Sequence, residues 1–331
     1  MRIAVNGFGR MGRAVLRAVA DRAEDIDIVA VNDLATPETL AHLLRHDSTY
    51  GPWGPRIESG TDWMSFADTT LRVTALPDPE QLPWRELGVD LVVEATGRFR
   101  TRDAAAAHLR AGADRVLITA PGRGVDATIV LGVNDHTFDP VRHRVISNAS
   151  CTTNCLAPMV RVLHTAFGVE HALMTTVHSY TNDQNLLDGP HKDARRARSA
   201  AVNIIPTTTG AAAAVGEVLP ELRGRLDGVA VRVPVEDGSL TDLTVELSRS
   251  VAADEVNAAF AEAAEHQLRN VLRYSTAPIV SRDIVGDPAS CVIDGPLTRA
   301  RGHLVKVFGW YDNEWGYANR TVDLIRLIAD G

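Results

Sequence analysis

The chain has 331 residues, of which 45% are hydrophobic and 23% are charged, and its formal net charge is −8. These values are typical of a folded, water-soluble protein of about two domains, and they argue against a general binder of nucleic acid or anionic membranes. No apolar run is long enough to cross a bilayer. Three cysteines are too few for a disulfide scaffold, and the strand pattern at 2–5 leaves no room for a signal peptide, so we expect a cytoplasmic protein.

The first half of the chain, residues 1–150, alternates short apolar runs with helical patterns, which is typical of an α/β domain with a parallel sheet. The predicted strands and helices of this half are the strands 3–5, 26–31, 71–74, 90–94, 115–119, 127–131 and 145–147 and the helices 10–20 and 103–111.

Three glycines mark the turn between the first strand and the first helix. Gly7 permits a tight turn, Gly9 lets the backbone approach a pyrophosphate, and Gly12 allows close helix–strand packing. Asp33 ends the next strand, where it accepts hydrogen bonds from a ribose and repels a 2′-phosphate. The alternative is a plain turn with Asp33 capping the next helix. We predict a Rossmann-type domain that binds NAD rather than NADP.

The second half, residues 151–312, has longer β-rich runs, which predict an α+β catalytic domain with a mixed or antiparallel sheet. A long helical pattern at 313–331 is expected to pack back on the first domain. The other predicted elements are the helices 151–166, 211–218 and 255–270 and the strands 173–178, 228–235, 240–247, 292–294 and 304–310.

Cys151 stands at the start of the predicted helix 151–166. A helix N-terminus offers free N–H groups and partial positive charge, so we predict a nucleophilic thiolate with a pKa below the usual value of about 8.5. The alternative is a buried core cysteine, which is the preferred interpretation for Cys155 one turn further on. No second pair of ligands accompanies these cysteines, so no metal site is predicted.

His178 follows a strand-like run and is the candidate base for this thiol, with a purely structural histidine as the alternative. Thr209 and Gly210 precede the predicted helix 211–218, where they either cap the helix or hold a substrate anion. Arg232 alternates with valines in a strand and points either into a site or into solvent.

Four motifs occur in a fixed order along the chain. They are VNGFGR at 5–10, SCTTNCLAP at 150–158, HSYTNDQ at 178–184 and WYDNEWGY at 310–317. Together they resemble the motifs of phosphorylating glyceraldehyde-3-phosphate dehydrogenases. The resemblance implies a homotetramer that oxidises D-glyceraldehyde 3-phosphate to 1,3-bisphosphoglycerate with NAD and inorganic phosphate. Cys151 would attack the aldehyde, with His178 as base, and phosphate would attack the resulting thioester.

The same resemblance assigns further residues by motif. Those implied to contact the cofactor, beside Gly7, Gly9 and Gly12, are Arg10, Met11, Asp33, Thr96, Gly97, Thr119 and Asn313. Those implied to bind the substrate's own phosphate are Thr181 and Arg232, with help from Arg196. Those implied to receive inorganic phosphate are Ser150, Thr152, Thr209 and Gly210.

Some positions depart from the pattern that the resemblance leads us to expect. Pro77, Asn185 and Ala213 replace common basic residues, and Gly189 replaces a leucine frequent in NAD-specific members. None removes a catalytic group. Two alternatives therefore stay open: an erythrose-4-phosphate dehydrogenase, and a specialised paralogue such as an inhibitor-insensitive one.

Overall fold

The computed structural model describes residues 1–22 and 25–331. The chain forms two units, each with its own sheet. The first unit contains Met1–Ile129, His136–Ala149 and Thr321–Gly331, and the second contains Val130–Asp135 and Ser150–Arg320. Within the described residues, no helix combines the length and apolar character that crossing a membrane requires.

The first unit is built on a nine-stranded sheet with the order β3-β4-β5-β2-β1-β6-β7-β9-β8. Its strands are β1 (Arg2–Asn6), β2 (Asp27–Asn32), β3 (Ile57–Ser59), β4 (Trp63–Phe66), β5 (Thr69–Thr74), β6 (Leu91–Glu94), β7 (Arg115–Ile118), β8 (Ala127–Thr128) and β9 (Val145–Ser147). The ladders from β5 to β8 are parallel, as predicted. The antiparallel edge made by β3, β4 and β5 is not predicted, because short hairpins at a sheet edge carry little apolar periodicity.

The centre of this sheet brings three strand ends together. In the registers of β1 with β2 and of β1 with β6, Asn6 pairs with both Asn32 and Glu94. The carboxyl ends of these parallel strands therefore lie side by side, which is where α/β sheets bind ligands. The helices of this unit are α1 (Arg10–Arg22), α2 (Pro37–Arg45), α3 (Trp84–Leu87) and α4 (Arg102–Arg110).

The second unit has an eight-stranded mixed sheet with the order β11-β12-β10-β13-β17-β15-β14, and β16 pairs with β17. Its strands are β10 (Val169–Ser179), β11 (Ile205–Thr208), β12 (Leu226–Val233), β13 (Ser239–Leu247), β14 (Leu272–Ser275), β15 (Cys291–Asp294), β16 (Arg299–Arg301) and β17 (Leu304–Tyr311). Strand β10 runs parallel to β12 and antiparallel to β13. The predicted α/β class, with one parallel-rich and one mixed sheet, is confirmed.

The helices of the second half are α5 (Cys151–Phe167), α6 (Ala211–Val218), α7 (Ala253–Glu265) and α8 (Trp315–Asp330). Helix α5 begins where the Ser150 hydroxyl accepts a hydrogen bond from the Thr153 N–H, and it ends at Gly168, whose φ is 72°. Its buried residues pack against the sheet. Helix α7 ends five residues before the predicted Asn270, because the chain turns there and Asn270 itself has a φ of 69°.

Candidate active site

The glycine turn after β1 is shaped by backbone contacts that exclude side chains. Gly7 has a φ of 91°, and a Cβ there would lie 2.7 Å from the Thr96 nitrogen. A Cβ on Gly12 would lie 2.2 Å from the Gly7 carbonyl oxygen. A Cβ on Gly9, by contrast, would meet no protein atom within 4 Å. Gly9 therefore leaves open space at the start of α1, where free N–H groups favour an anion.

A cavity of about 300 Å³ opens at the ends of β1, β2 and β6. Of the predicted cofactor residues it includes Gly7, Gly9, Asp33 and Thr96. The other residues that line the cavity were not predicted to contact the cofactor; they are Asn6, Asn32, Leu34, Leu76, Pro77, Ala95, Arg98 and Phe99. Asp33 already accepts hydrogen bonds from the Phe8 N–H at 2.8 Å and the Ala35 N–H at 3.1 Å. A carboxylate has about four acceptor sites, so Asp33 can still bind ribose hydroxyls.

The remaining predicted cofactor residues are held in other ways. The Arg10 guanidinium donates a hydrogen bond to Asp47 at 3.1 Å and lies over the Tyr50 ring. Met11 is partly buried and Gly12 is buried within α1. Gly97 has a φ of 69°, and the Thr119 hydroxyl donates to the Glu94 carbonyl at 3.1 Å. Asn313 belongs to the second unit, where its Oδ1 accepts from the Ser239 hydroxyl at 2.7 Å.

The second unit brings Cys151 and His178 together. Cys151 is the first residue of α5 and His178 is the penultimate residue of β10. The Cys151 sulfur lies 3.6 Å from His178 Nε2, a hydrogen-bond distance for sulfur. His178 is 5% exposed and Cys151 is partly exposed, so a small molecule can reach the sulfur while the imidazole stays buried.

The contacts of the second imidazole nitrogen determine which nitrogen carries the proton. His178 Nδ1 lies 2.7 Å from the Ser179 carbonyl oxygen, which accepts only. Arg232 Nη1 lies 2.9 Å from Nδ1, but its two hydrogens are accounted for by the Ser179 carbonyl at 2.9 Å and the Thr181 hydroxyl at 3.1 Å. The hydrogen therefore resides on Nδ1, and Nε2 faces the thiol as an acceptor.

Burial gives this pair neutral resting forms. Burial raises the pKa of the Cys151 thiol to about 11, even though the Arg232 charge and the Thr152 contacts act to lower it. Burial, together with the Arg232 charge, lowers the pKa of His178 to about 3. The prediction of a Cys151 pKa below the usual thiol value is therefore wrong. The helix N-terminus is present, but the loss of water around the sulfur outweighs it.

A second cluster of polar groups lies beside the imidazole. Arg232 is mostly buried, and its Nε has no hydrogen-bond partner among the described residues. Thr181 donates to Asp183, and the Arg196 guanidinium pairs with the same carboxylate. Arg196 Nε also donates to the Thr207 hydroxyl at 3.0 Å. The structure thus brings Thr181, Arg196 and Arg232 together around the carboxylate of Asp183. Asp183 was not predicted as a site residue from the sequence.

The residues predicted to receive inorganic phosphate lie at helix starts. Ser150 caps α5, and the Thr209 hydroxyl accepts from the Ala211 N–H at 3.2 Å at the start of α6, directly after Gly210. The Thr152 hydroxyl is buried and lies 2.9 Å from the Tyr311 hydroxyl. The Thr152 hydroxyl therefore has a hydrogen-bond partner within the protein, Tyr311, which was not predicted from the sequence.

Comparison with known proteins identifies the family. Residues 1–102 match the NAD binding domain of glyceraldehyde 3-phosphate dehydrogenase, and residues 150–313 match its C-terminal domain. The chain belongs to the glyceraldehyde-3-phosphate dehydrogenase family. Glyceraldehyde-3-phosphate dehydrogenase 1 of Streptomyces avermitilis is 56% identical over 330 residues, covering 100% of this chain and 99% of that protein.

Two further relatives give the same result. The glyceraldehyde-3-phosphate dehydrogenase of Streptomyces coelicolor is 55% identical over 332 residues, covering 100% of this chain and 99% of that protein. The one from Geobacillus stearothermophilus is 54% identical over 330 residues, covering 99% and 98%. The resemblance seen in the four motifs is confirmed, as is NAD as the cofactor of this dehydrogenase family member.

The positions that depart from the expected pattern of glyceraldehyde-3-phosphate dehydrogenases are now located. Pro77 lines the cavity of the first unit. The Asn185 amide donates to the Gly189 carbonyl at 2.8 Å, so these two departures are in direct contact within one loop. Ala213 is exposed on α6.

Several polar residues of the sites were missed because nothing local distinguishes them, and two of them, Tyr311 and Glu94, are buried. Tyr311 lies inside the 310–317 motif, and Asp183 lies inside the 178–184 motif. The sequence does not reveal which residues either side chain contacts. Glu94 ends β6 and is 1% exposed, and it accepts hydrogen bonds from Asn6 at 2.6 Å and from the Thr96 N–H at 2.9 Å. An acidic residue closing an apolar strand is the one signal that marks it.

Proposed function

We propose that the protein oxidises D-glyceraldehyde 3-phosphate to 1,3-bisphosphoglycerate with NAD and inorganic phosphate, through a thioester on Cys151. The observation that carries this proposal is the 3.6 Å contact between the Cys151 sulfur and an unprotonated Nε2 of His178, with Arg232 alongside. The names of the relatives favour glyceraldehyde 3-phosphate over erythrose 4-phosphate and over a specialised role.

The chemistry follows from the protonation of the pair. His178 Nε2 takes the thiol proton as the Cys151 sulfur attacks the aldehyde carbon, and it returns that proton to the oxygen of the thiohemiacetal. His178 then removes the same proton while the carbon is oxidised to a thioester. NAD, when bound, would supply the hydride acceptor for this oxidation. Phosphate attacks the thioester, the carbon–sulfur bond breaks, and the leaving thiolate regains its proton from His178.

Anion binding is assigned to charged and backbone groups. Arg232 has a buried Nε without a partner among the described residues, so it can bind the substrate's phosphate together with Thr181, assisted by Arg196. Inorganic phosphate is assigned to the helix starts after Ser150 and Gly210, where Thr152 and Thr209 stand. Free N–H groups at these starts favour an anion.

The cofactor is assigned to the cavity of the first unit. The open space at Gly9 fits a pyrophosphate, and the Asp33 carboxylate fits a ribose diol. By the same family resemblance, we propose residues 1–150 and 313–331 as the NAD-binding part and 151–312 as the catalytic part. The residues proposed to contact NAD are Gly7, Gly9, Arg10, Met11, Gly12, Asp33, Thr96, Gly97, Thr119 and Asn313.

The test is the steady-state formation of NADH from glyceraldehyde 3-phosphate and NAD, with and without inorganic phosphate. We expect sustained turnover only with phosphate, because hydrolysis of the thioester by water should be much slower than attack by phosphate. The Cys151→Ser variant is the control and should give no turnover. Equal rates without phosphate would contradict the acyl-phosphate chemistry, and a higher kcat/KM for erythrose 4-phosphate would contradict the substrate.

A homotetramer in the cytoplasm is the proposed state of the protein. Its support is one face of the second sheet, where Leu173, Val229 and Leu304 occupy outward positions of β10, β12 and β17 and are at least half exposed. Burying such a patch against a second copy is favourable. The three cysteines are free thiols, as expected in a reducing compartment.

Introducing charge on this face should weaken assembly. The double variant Leu173→Glu, Val229→Glu should lower the mass measured by light scattering from four chains toward one or two. Val280→Glu is the matched control, since Val280 is 60% exposed and lies outside this sheet. A wild-type mass of one chain would refute the assembly.

A further inference from the structure

Tyr311 bridges the two elements that carry the catalytic pair. It is the last residue of β17 and is 1% exposed. Its hydroxyl lies 2.9 Å from the Thr152 hydroxyl on α5 and 2.8 Å from the Thr176 hydroxyl on β10. Thr152 follows Cys151, and Thr176 precedes His178 by two residues. One buried phenol therefore links the start of the nucleophile's helix to the strand of the base.

The chain of hydroxyls ends beside the nucleophile, because Thr152 follows Cys151 in the chain and its side chain acts to lower the pKa of the Cys151 thiol. Each hydroxyl has one hydrogen to donate. A negative charge on the sulfur favours the orientation in which Thr152 donates toward it, Tyr311 donates to Thr152 and Thr176 donates to Tyr311. All three hydroxyls then point in one direction, and each donor strengthens the next.

The Tyr311 ring also contacts the base. Its centroid lies 6.0 Å from that of the His178 ring at an interplanar angle of 73°, an edge-to-face arrangement. Tyr311 thus positions the imidazole by packing and the Thr152 hydroxyl by hydrogen bonding. These two functions are separable, since phenylalanine keeps the ring and removes only the hydroxyl.

We propose that Tyr311, supported by Thr176, is a positioning residue that holds the Thr152 hydroxyl as a donor to the Cys151 sulfur while that sulfur gains negative charge. Tyr311 and Thr176 act through Thr152 and are not assigned a contact with substrate. The inference rests on the proposed function, in which Cys151 is the nucleophile. The other charged or titratable groups that interact with the sulfur are His178 from β10, Arg232 from β12, Asp237 before β13 and Tyr317 from α8, and Cys155 on α5 acts on Tyr311 itself.

The first test is the rate of alkylation of Cys151 by iodoacetamide between pH 6 and 10. Because the pKa of the Cys151 thiol is raised to about 11, the wild-type rate should rise about tenfold for each pH unit without a plateau below pH 9. Tyr311→Phe should lower that rate about tenfold at each pH, the usual size of one lost hydrogen bond. Buried Cys155 and Cys291 should not react, and Cys151→Ser gives the background.

Turnover supplies the second readout. In Tyr311→Phe, kcat should fall about five- to tenfold while the KM for glyceraldehyde 3-phosphate stays within twofold, because no substrate contact is lost. Tyr274→Phe is the matched control, since Tyr274 lies on β14 against Gly295, and it should change neither quantity.

Thr176 keeps the proposal testable if Tyr311→Phe does not fold. Thr176→Val removes the last hydroxyl and should slow alkylation two- to threefold, whereas Thr176→Ser restores the hydroxyl and should match the wild type. An unchanged alkylation rate in Tyr311→Phe or Thr176→Val, with only a lower Tm, would overturn the proposal. Alkylation needs neither NAD nor substrate, so failure of the proposed reaction would leave this result interpretable.

Discussion

Replacing His178 with asparagine should lower kcat about 10²- to 10⁴-fold, the range expected when a general base is removed. The structure gives the reason: Nε2 faces the sulfur as an acceptor, and an amide cannot take the thiol proton. The measurement is kcat from steady-state NADH formation with saturating glyceraldehyde 3-phosphate, NAD and inorganic phosphate. His171→Asn is the matched control, because His171 lies on the same strand with its side chain 76% exposed, and it should leave kcat unchanged.

The pH dependence of stability reports on the burial of the His178 imidazole, whereas kcat reports on its role as a base. The pKa of His178 is lowered from 6.5 to about 3, so the folded protein keeps the imidazole neutral while the unfolded chain protonates below pH 6.5. The contribution of the neutral His178 to the free energy of unfolding is therefore fully present above pH 6.5. It is lost as the pH falls toward 3, by up to roughly 5 kcal/mol. His178→Asn should lose this acid sensitivity. A kcat within threefold of wild type would remove His178 from the mechanism.

The parts predicted correctly from sequence are those with local signals. The glycine turn, Asp33 and the strands around them follow one another within a short stretch, so spacing alone places them on adjacent elements. Cys151 at the start of α5 is also local, because Ser150 is a strong helix cap. The pairing of Cys151 with His178 was inferred from chemistry and from the family motifs, since no local pattern joins them.

The parts predicted wrongly or missed depend on tertiary surroundings. The direction of the Cys151 pKa shift was wrong because a sequence shows the helix start and not the atoms that exclude water from the sulfur. Tyr311 was missed because its hydroxyl meets Thr152 and Thr176 only after β17 pairs with β13 and α5 packs on the sheet. Asp183 was missed because only the folded loop brings it into contact with Thr181 and Arg196.

Gly9 and Gly12 are expected to separate cofactor binding from stability. In Gly12→Ala, the new Cβ would lie 2.2 Å from the Gly7 carbonyl oxygen, so α1 or the turn must shift. Such a backbone clash costs about 2–3 kcal/mol and should lower the Tm by several degrees. In Gly9→Ala, the Cβ meets no protein atom within 4 Å, so the Tm should stay within about 1 °C of wild type.

In Gly9→Ala, the affinity for NAD should fall although the stability does not. Its methyl group enters the space assigned to the pyrophosphate, so the Kd for NAD measured by calorimetric titration should rise tenfold or more. Gly54→Ala is the matched control, because its Cβ also meets no atom within 4 Å and Gly54 lies outside the cavity. It should change neither the Tm nor the Kd. If Gly9→Ala binds NAD like the wild type, the pyrophosphate does not approach this backbone, and the assignment of the open space at Gly9 is wrong.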